Sequence, residues 1–139
     1  MYKQIILAVD GSDHSIRATE ETVKIASLVK DSHIEVVSVA EFSKAKNEVL
    51  HSGGKEELEI SRRKALLPAT ELLDAHHLSY EIKILHGEPG PTIVEYTNKG
   101  DYELLVIGSR GLNAFQEMVL GSVSHKVVKR VDCPVLIVK

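Results

Sequence analysis

The feature that most narrows the fold is a set of short apolar runs with no polar alternation. Ile5-Ile-Leu-Ala-Val9, Leu104-Leu-Val-Ile-Gly108 and Val135-Leu-Ile-Val138 are apolar at successive positions. Side chains of a strand point alternately to its two faces, so a strand of this kind has both faces covered. Long amphipathic stretches separate the runs, which is the pattern of βα units around a parallel sheet with helices on both faces. Five runs read as strands: 4–9, 34–40, 79–85, 104–108 and 135–138. The third, Ser79-Tyr-Glu-Ile-Lys-Ile-Leu85, alternates polar with apolar. That predicts an edge strand with one wetter face.

Helices are expected at 13–30, 55–77, 91–99 and 122–131. The first carries Ala18, Thr22, Ile25, Ala26 and Val29 at three-to-four spacing, with Ser12 or Asp13 as N-cap. The second carries Leu58, Ala65, Leu66, Ala69, Leu72 and Leu73 on one stripe and should kink at Pro68, whose ring blocks a bond to Lys64. Gly100 suits the position just past the third. The fourth should bury Val123, Val127, Val128 and Val131, with Lys126, Lys129 and Arg130 outward. Two polar or glycine-rich connections, 41–54 and 109–120, are long for this architecture, and long loops at the carboxyl end of a sheet are where ligands sit.

Length and composition bound the function. A chain of 139 residues, 43% hydrophobic with a mean hydropathy of −0.04, suits one domain over 1–139 with a buried core. A net charge of −3 provides no basic footprint for nucleic acid or an anionic membrane, so a phosphate ligand must be held locally. Cys133 is the only cysteine, which excludes an internal disulfide framework, and its apolar surroundings read as a small buried hydrophobe. No apolar run approaches membrane-spanning length, and no signal-peptide pattern opens the chain, so a cytoplasmic protein is expected.

Chemistry concentrates after the fourth strand, in Gly108-Ser-Arg-Gly111 and Gly121-Ser122-Val-Ser124. Glycine lets the backbone approach a phosphate closely, and the N–H groups opening the last helix form an anion site with its dipole. Ser122 and Ser124 can add hydroxyl donors, and Arg110 a charge. With nine Gly and seventeen Ser plus Thr, Gly-x2-Gly-x9-Gly-Ser/Thr should arise by chance only about 0.004 times.

This pattern resembles the ATP-binding branch of the universal stress protein family, and the resemblance runs nearly the whole chain. It covers Ile5-Ile-Leu-Ala-Val-Asp-Gly-Ser12, Gly87-Glu-Pro, Leu105-Val-Ile-Gly-Ser-Arg-Gly111, Gly121-Ser122 and Cys133-Pro-Val-Leu-Ile-Val138. It implies strand order 3-2-1-4-5, with ATP over the switch point between strands one and four and Mg²⁺ carried with the nucleotide. Ala8, Val9 and Asp10 would line the nucleoside pocket, and Val39 would meet adenine through its backbone. Gly108, Ser109, Arg110, Gly111, Leu112 and Asn113 would wrap ribose and phosphates. Gly121, Ser122, Val123 and Ser124 would complete the phosphate site. Ala8 and Ser38 stand where the family often has Pro and His. The resemblance also implies a homodimer in which two copies pair their last strands antiparallel, with Leu136 at the middle of the pairing edge.

Asp10 keeps two readings: a contact to ribose or to the Mg²⁺ water shell, or a turn-and-cap residue in Asp-Gly-Ser-Asp needing no ligand. No Gly-x4-Gly-Lys-Ser/Thr loop and no Gly-x-Gly-x-x-Gly after strand one are present, which argues against a Walker-type ATPase and a dinucleotide oxidoreductase. The seven histidines show no ligand spacing, so no metal site is expected. No general base is evident beside the phosphate loop, which favours a nucleotide-binding regulatory module in stress response over a slow ATP hydrolase. The apolar residues Leu112, Phe115, Met118, Val119 and Leu120 suggest a loop whose order responds to nucleotide.

Overall fold

A computed structural model of the chain describes residues 1–40, 55–110 and 120–139. The described strands are β1 (Gln4–Ala8), β2 (His33–Ala40), β3 (Ser79–His86), β4 (Leu104–Gly108) and β5 (Val135–Val138). They form one parallel sheet in the order β3-β2-β1-β4-β5. β1 is central, and Ala8 lies between Val37 of β2 and Ile107 of β4. The alternating run is an edge strand, as its pattern predicts. β5 forms the other edge, which is why its four residues are half-buried while β1 and β4 are almost wholly buried.

The helices are α1 (Asp13–Ser27), α2 (Lys55–Ala65), α3 (Leu67–Ala75), α4 (Pro89–Lys99) and α5 (Ser122–Arg130). One face of the sheet turns Ile5, Leu7, Ile34, Val36 and Val106 toward Ala18, Val23 and Ala26 of α1 and Ala69 and Leu73 of α3. The other turns Ile6, Ala8, Val37, Leu105 and Ile107 toward Ile93 of α4 and Val127 of α5. Uninterrupted apolar runs are therefore required in the central strands, because each successive side chain enters a different core.

Several local expectations are corrected. The 55–77 helix does not bend at Pro68 but breaks at Leu66, whose N–H reaches back to Arg62 and Arg63 oxygens at 3.2 Å each. Pro68 then falls in the first turn of α3, where no backbone donor is needed. Leu66, Ala69 and Leu73 are buried, Ala65 is exposed, and the Leu58 side chain lies outside the description. Helix α1 ends at Ser27, before the predicted Lys30, and Ser12 caps it. Gly100 directly follows α4, as expected, in extended backbone with φ −100°, where a Cβ would strike the Tyr102 ring. On α5 Val127 is fully buried, Val123 and Val131 are half-buried against the same core, and Val128 stands exposed, against expectation.

Polar groups close the amino end of the sheet. Tyr96 and Tyr102 both donate their hydroxyls to the Glu35 carboxylate, and their stacked rings lie 6.2 Å apart. Glu103 accepts the N–H groups of Tyr2 at 3.1 Å and Lys3 at 3.0 Å, pinning the start of the chain beside β4. Burial, reinforced by the hydrogen bonds to Glu35, pushes both phenols above their ordinary value.

Two predictions follow from this packing. Val127 is 0% exposed and Val128 44%. Val127→Ala should cost about 1–3 kcal/mol through lost burial and a residual cavity, and Val128→Ala less than about 0.5 kcal/mol, read from urea midpoints. The raised phenols set an alkaline limb. Below the ordinary phenol value of 10.0 both folded and unfolded chains keep the proton and the contribution is whole. Above it the unfolded chain releases protons that the fold retains, so stability falls as pH rises. Tyr102→Phe should therefore show a shallower loss of stability than the parent above about pH 10, and equal slopes would contradict the assignment.

Candidate functional site

The chain leaves β1 and β4 side by side, and their connections depart to opposite faces: α1 packs on one face and α5 on the other. This is the switch point of a doubly wound sheet, where a crevice opens outside the carboxyl ends of the strands. The exit from β1 is built by its own residues. Val9 N–H still donates to Val37 O at 2.9 Å, beyond the end of the strand. Asp10 Oδ1 then accepts the Ser12 N–H at 2.9 Å, across Gly11 at φ +85°, where a side chain would be strained. Ser12 Oγ accepts the Ser15 N–H at 3.2 Å and Ser15 Oγ donates to Ser12 O at 2.9 Å. The turn-and-cap reading of Asp-Gly-Ser-Asp is thus realised, and the N-terminus of α1 is satisfied locally.

The exit from β4 is different. A Cβ on Gly108 would lie 2.8 Å from His14 Cβ and 2.9 Å from the His14 carbonyl carbon. The sequence reading assigned this glycine to close approach of a phosphate; the atoms that occupy the space are those of α1. Ser109, 5% exposed, is held on three sides. Its N–H donates to Val138 O at 2.7 Å, its carbonyl accepts the Gly121 N–H at 2.7 Å, and its Oγ lies 3.3 Å from His14 Nδ1. Its hydroxyl is therefore turned toward α1. Ser124 is also buried, and its Oγ donates to Gly108 O at 2.7 Å. A hydroxyl has one hydrogen, so of the two side-chain donors expected for phosphate, Ser122 and Ser124, that of Ser124 is engaged in tying α5 to the end of β4.

What α5 presents at this edge is backbone. Gly121 is its N-cap and brings no side chain to cap it, no acid stands in its first turn, and Lys129 and Arg130 occupy its last. The first N–H groups of a helix have no acceptor inside it, and they carry the positive end of its dipole. Ser122 is exposed and Val123 half-buried there, so the first turn is accessible. Arg110, half-buried, supplies a cation just after Ser109.

The remaining candidates divide between the faces. Ala8 and Val39 belong to the α4/α5 side, the same side as the start of α5. Val9 is buried in the opposite core and faces α1, so only its backbone can border a ligand over Ala8. Asp10 is exposed at the turn. Gly111, Leu112 and Asn113 lie outside the described residues, as do the apolar positions Phe115, Met118 and Val119 and the 41–54 connection. The residue that sequence reasoning missed is His14, which touches both Gly108 and Ser109; its place in the first turn after the switch-point strand was the available signal. Cys133 sits half-buried just ahead of β5, and burial pushes its thiol up, consistent with a structural residue.

Comparison with known proteins agrees with this architecture. The model of the universal stress protein family matches residues 1–139. The universal stress protein YxiE of Bacillus subtilis is 32% identical over 157 residues, covering 100% of both chains. The universal stress protein MJ0531 of Methanocaldococcus jannaschii is 31% identical over 141 residues, covering 100% of this chain and 83% of its own. Among solved structures, a universal stress protein in complex with cAMP superposes with a TM-score of 0.72 at 25% identity, covering 99% of this chain and 96% of the other. With its parallel sheet in the order β3-β2-β1-β4-β5 and a match along its whole length, the chain belongs to the universal stress protein family.

Proposed function

We propose that residues 1–139 form a universal stress protein domain that binds ATP in the crevice at the carboxyl ends of β1 and β4, as a cytoplasmic regulatory module of stress response. The observation that carries this reading is the first turn of α5, whose N-cap is a glycine without a capping side chain and which is tied to the end of β4. Three successive backbone N–H groups, at Ser122, Val123 and Ser124, and the nearby Arg110 suit a polyphosphate in a chain whose overall charge is negative. Ala8 and Val39, on the same side of the sheet, provide an apolar floor for a base. The cAMP complex of a related universal stress protein supports an adenine nucleotide as the ligand class. Mg²⁺ arrives with the triphosphate in this reading, with Asp10 at the crevice rim beside its water shell.

Assembly follows from β5. Pro134 O accepts the Leu105 N–H at 2.9 Å and Val138 O accepts the Ser109 N–H at 2.7 Å. Backbone groups of alternate residues point to opposite sides of a strand. Leu136 therefore turns its N–H and C=O toward β4, and Val135 and Ile137 turn theirs outward, which corrects the expectation that Leu136 sits on the pairing edge. A half-buried apolar edge strand invites pairing with a second copy. We read the protein as a homodimer through this edge.

Two measurements test these readings. Gly121 has an ordinary φ of −67°, so Gly121→Val should fold. Its side chain would stand where phosphate approaches, weakening ATP about tenfold or more in equilibrium dialysis, a loss of about 1.4 kcal/mol. Unchanged affinity would move the ligand elsewhere. For assembly, sedimentation at micromolar concentration should give a dimer mass, and Ile137→Pro should give a folded monomer by removing an outward donor. Leu136→Pro should instead lower stability, because it breaks the ladder to β4. A monomeric parent would refute the dimer.

A further inference from the structure

We propose that His14 is a positioning residue for the phosphate end of this site, acting through Ser109; the inference rests on the ATP-binding reading above. The geometry is a chain of contacts crossing the switch point. On the β1 side, Asp10 holds the Ser12 N–H at 2.9 Å and Ser12 caps α1, so the backbone of His14 is tied to the end of β1. Across the crevice root, His14 Nδ1 lies 3.3 Å from Ser109 Oγ. On the α5 side, the Ser109 carbonyl holds the N–H of Gly121, the N-cap of α5, at 2.7 Å. The other ties on the Gly108–Ser109 pair run to Val138 and to Ser124. Among the described hydrogen bonds of these two residues, that to His14 is the one that comes from α1.

His14 makes two contacts of different kind. The seat on Gly108 uses its Cβ and main chain, which any residue with a Cβ retains. The contact to Ser109 uses the ring nitrogen, which only a side chain with a polar atom at the δ position replaces. Substitution therefore separates them. His14→Ala keeps the seat and deletes the tie to Ser109, while His14→Asn keeps a polar δ atom. Because the tie leads to Gly121 rather than to Ala8 or Val39, its loss loosens the start of α5 and leaves the base floor, set by the β-ladder, in place.

The test compares ATP with adenosine on the intact chain. His14→Ala should weaken ATP about threefold to tenfold, the range of one lost hydrogen bond, with adenosine affinity unchanged. His14→Asn should return ATP affinity to within about twofold of the parent. In the ligand-free protein, amide exchange at Gly121 should quicken in His14→Ala and recover in His14→Asn. Equal losses for ATP and adenosine would mark a merely structural residue and overturn the proposal, as would unchanged ATP affinity or unchanged Gly121 exchange. A parent that binds neither ligand would overturn the ATP reading and this proposal together. That outcome is recognisable because the Gly121 exchange is read without ligand and judges the His14–Ser109–Gly121 link by itself.

Discussion

The structure turns on the contact between α1 and the end of β4. Helix α1 begins only a few residues after β1, and it packs across its neighbour β4 because Gly108 offers no Cβ to hold it off. The same two residues, Gly108 and Ser109, also carry the hydrogen bonds to Val138, Gly121 and Ser124. One close approach thereby fixes the last strand, the last helix and the first helix against each other. Interiors pack near crystal density, so the absence of one methyl-sized group decides whether the layers close.

The two ends of the sheet are chemically unlike as a consequence. At the amino end, polar groups meet within the protein: two tyrosines converge on Glu35, and Glu103 gathers backbone donors from the chain start. At the carboxyl end, α1 is capped by its own serine, whereas α5 is entered through a glycine with no side-chain cap. The first backbone donors of a helix have no acceptor within it, and the local field of a helix terminus does not depend on net charge.

Much of the fold was legible because parallel strands covered on both faces must be apolar at successive positions. β4 and β5 matched their predicted bounds, and β1 differed by one residue, since Val9 keeps a ladder hydrogen bond to Val37 after the strand ends. The break at Leu66 was not legible: Pro68 announces an interruption, but whether a helix bends or restarts depends on which carbonyls its neighbours reach. Val123, Val127 and Val131 pack toward the core while Val128 is exposed, because adjacent residues on a helix point about 100° apart and the contact does not reach round to Val128. In the site, the glycine spacing did not reveal that Gly108 packs against His14 or that Ser124 bonds to Gly108, because both contacts join residues far apart in the chain.

The sequence by itself determined the element order, the layer architecture and the position of the glycine-lined crossing after β4, because these depend on local periodicity and on residue types that only certain backbones accept. It also determined the cap of α1, since Asp10, Gly11, Ser12 and Ser15 act within one turn. Only the tertiary structure decided that Gly108 exists for His14, that the hydroxyls of Ser109 and Ser124 face inward, and that Ile137 rather than Leu136 turns its backbone outward. Each of those is a relation between residues far apart in the chain, and a single hydrogen bond or a missing Cβ has no partner until the strands and helices have been brought together.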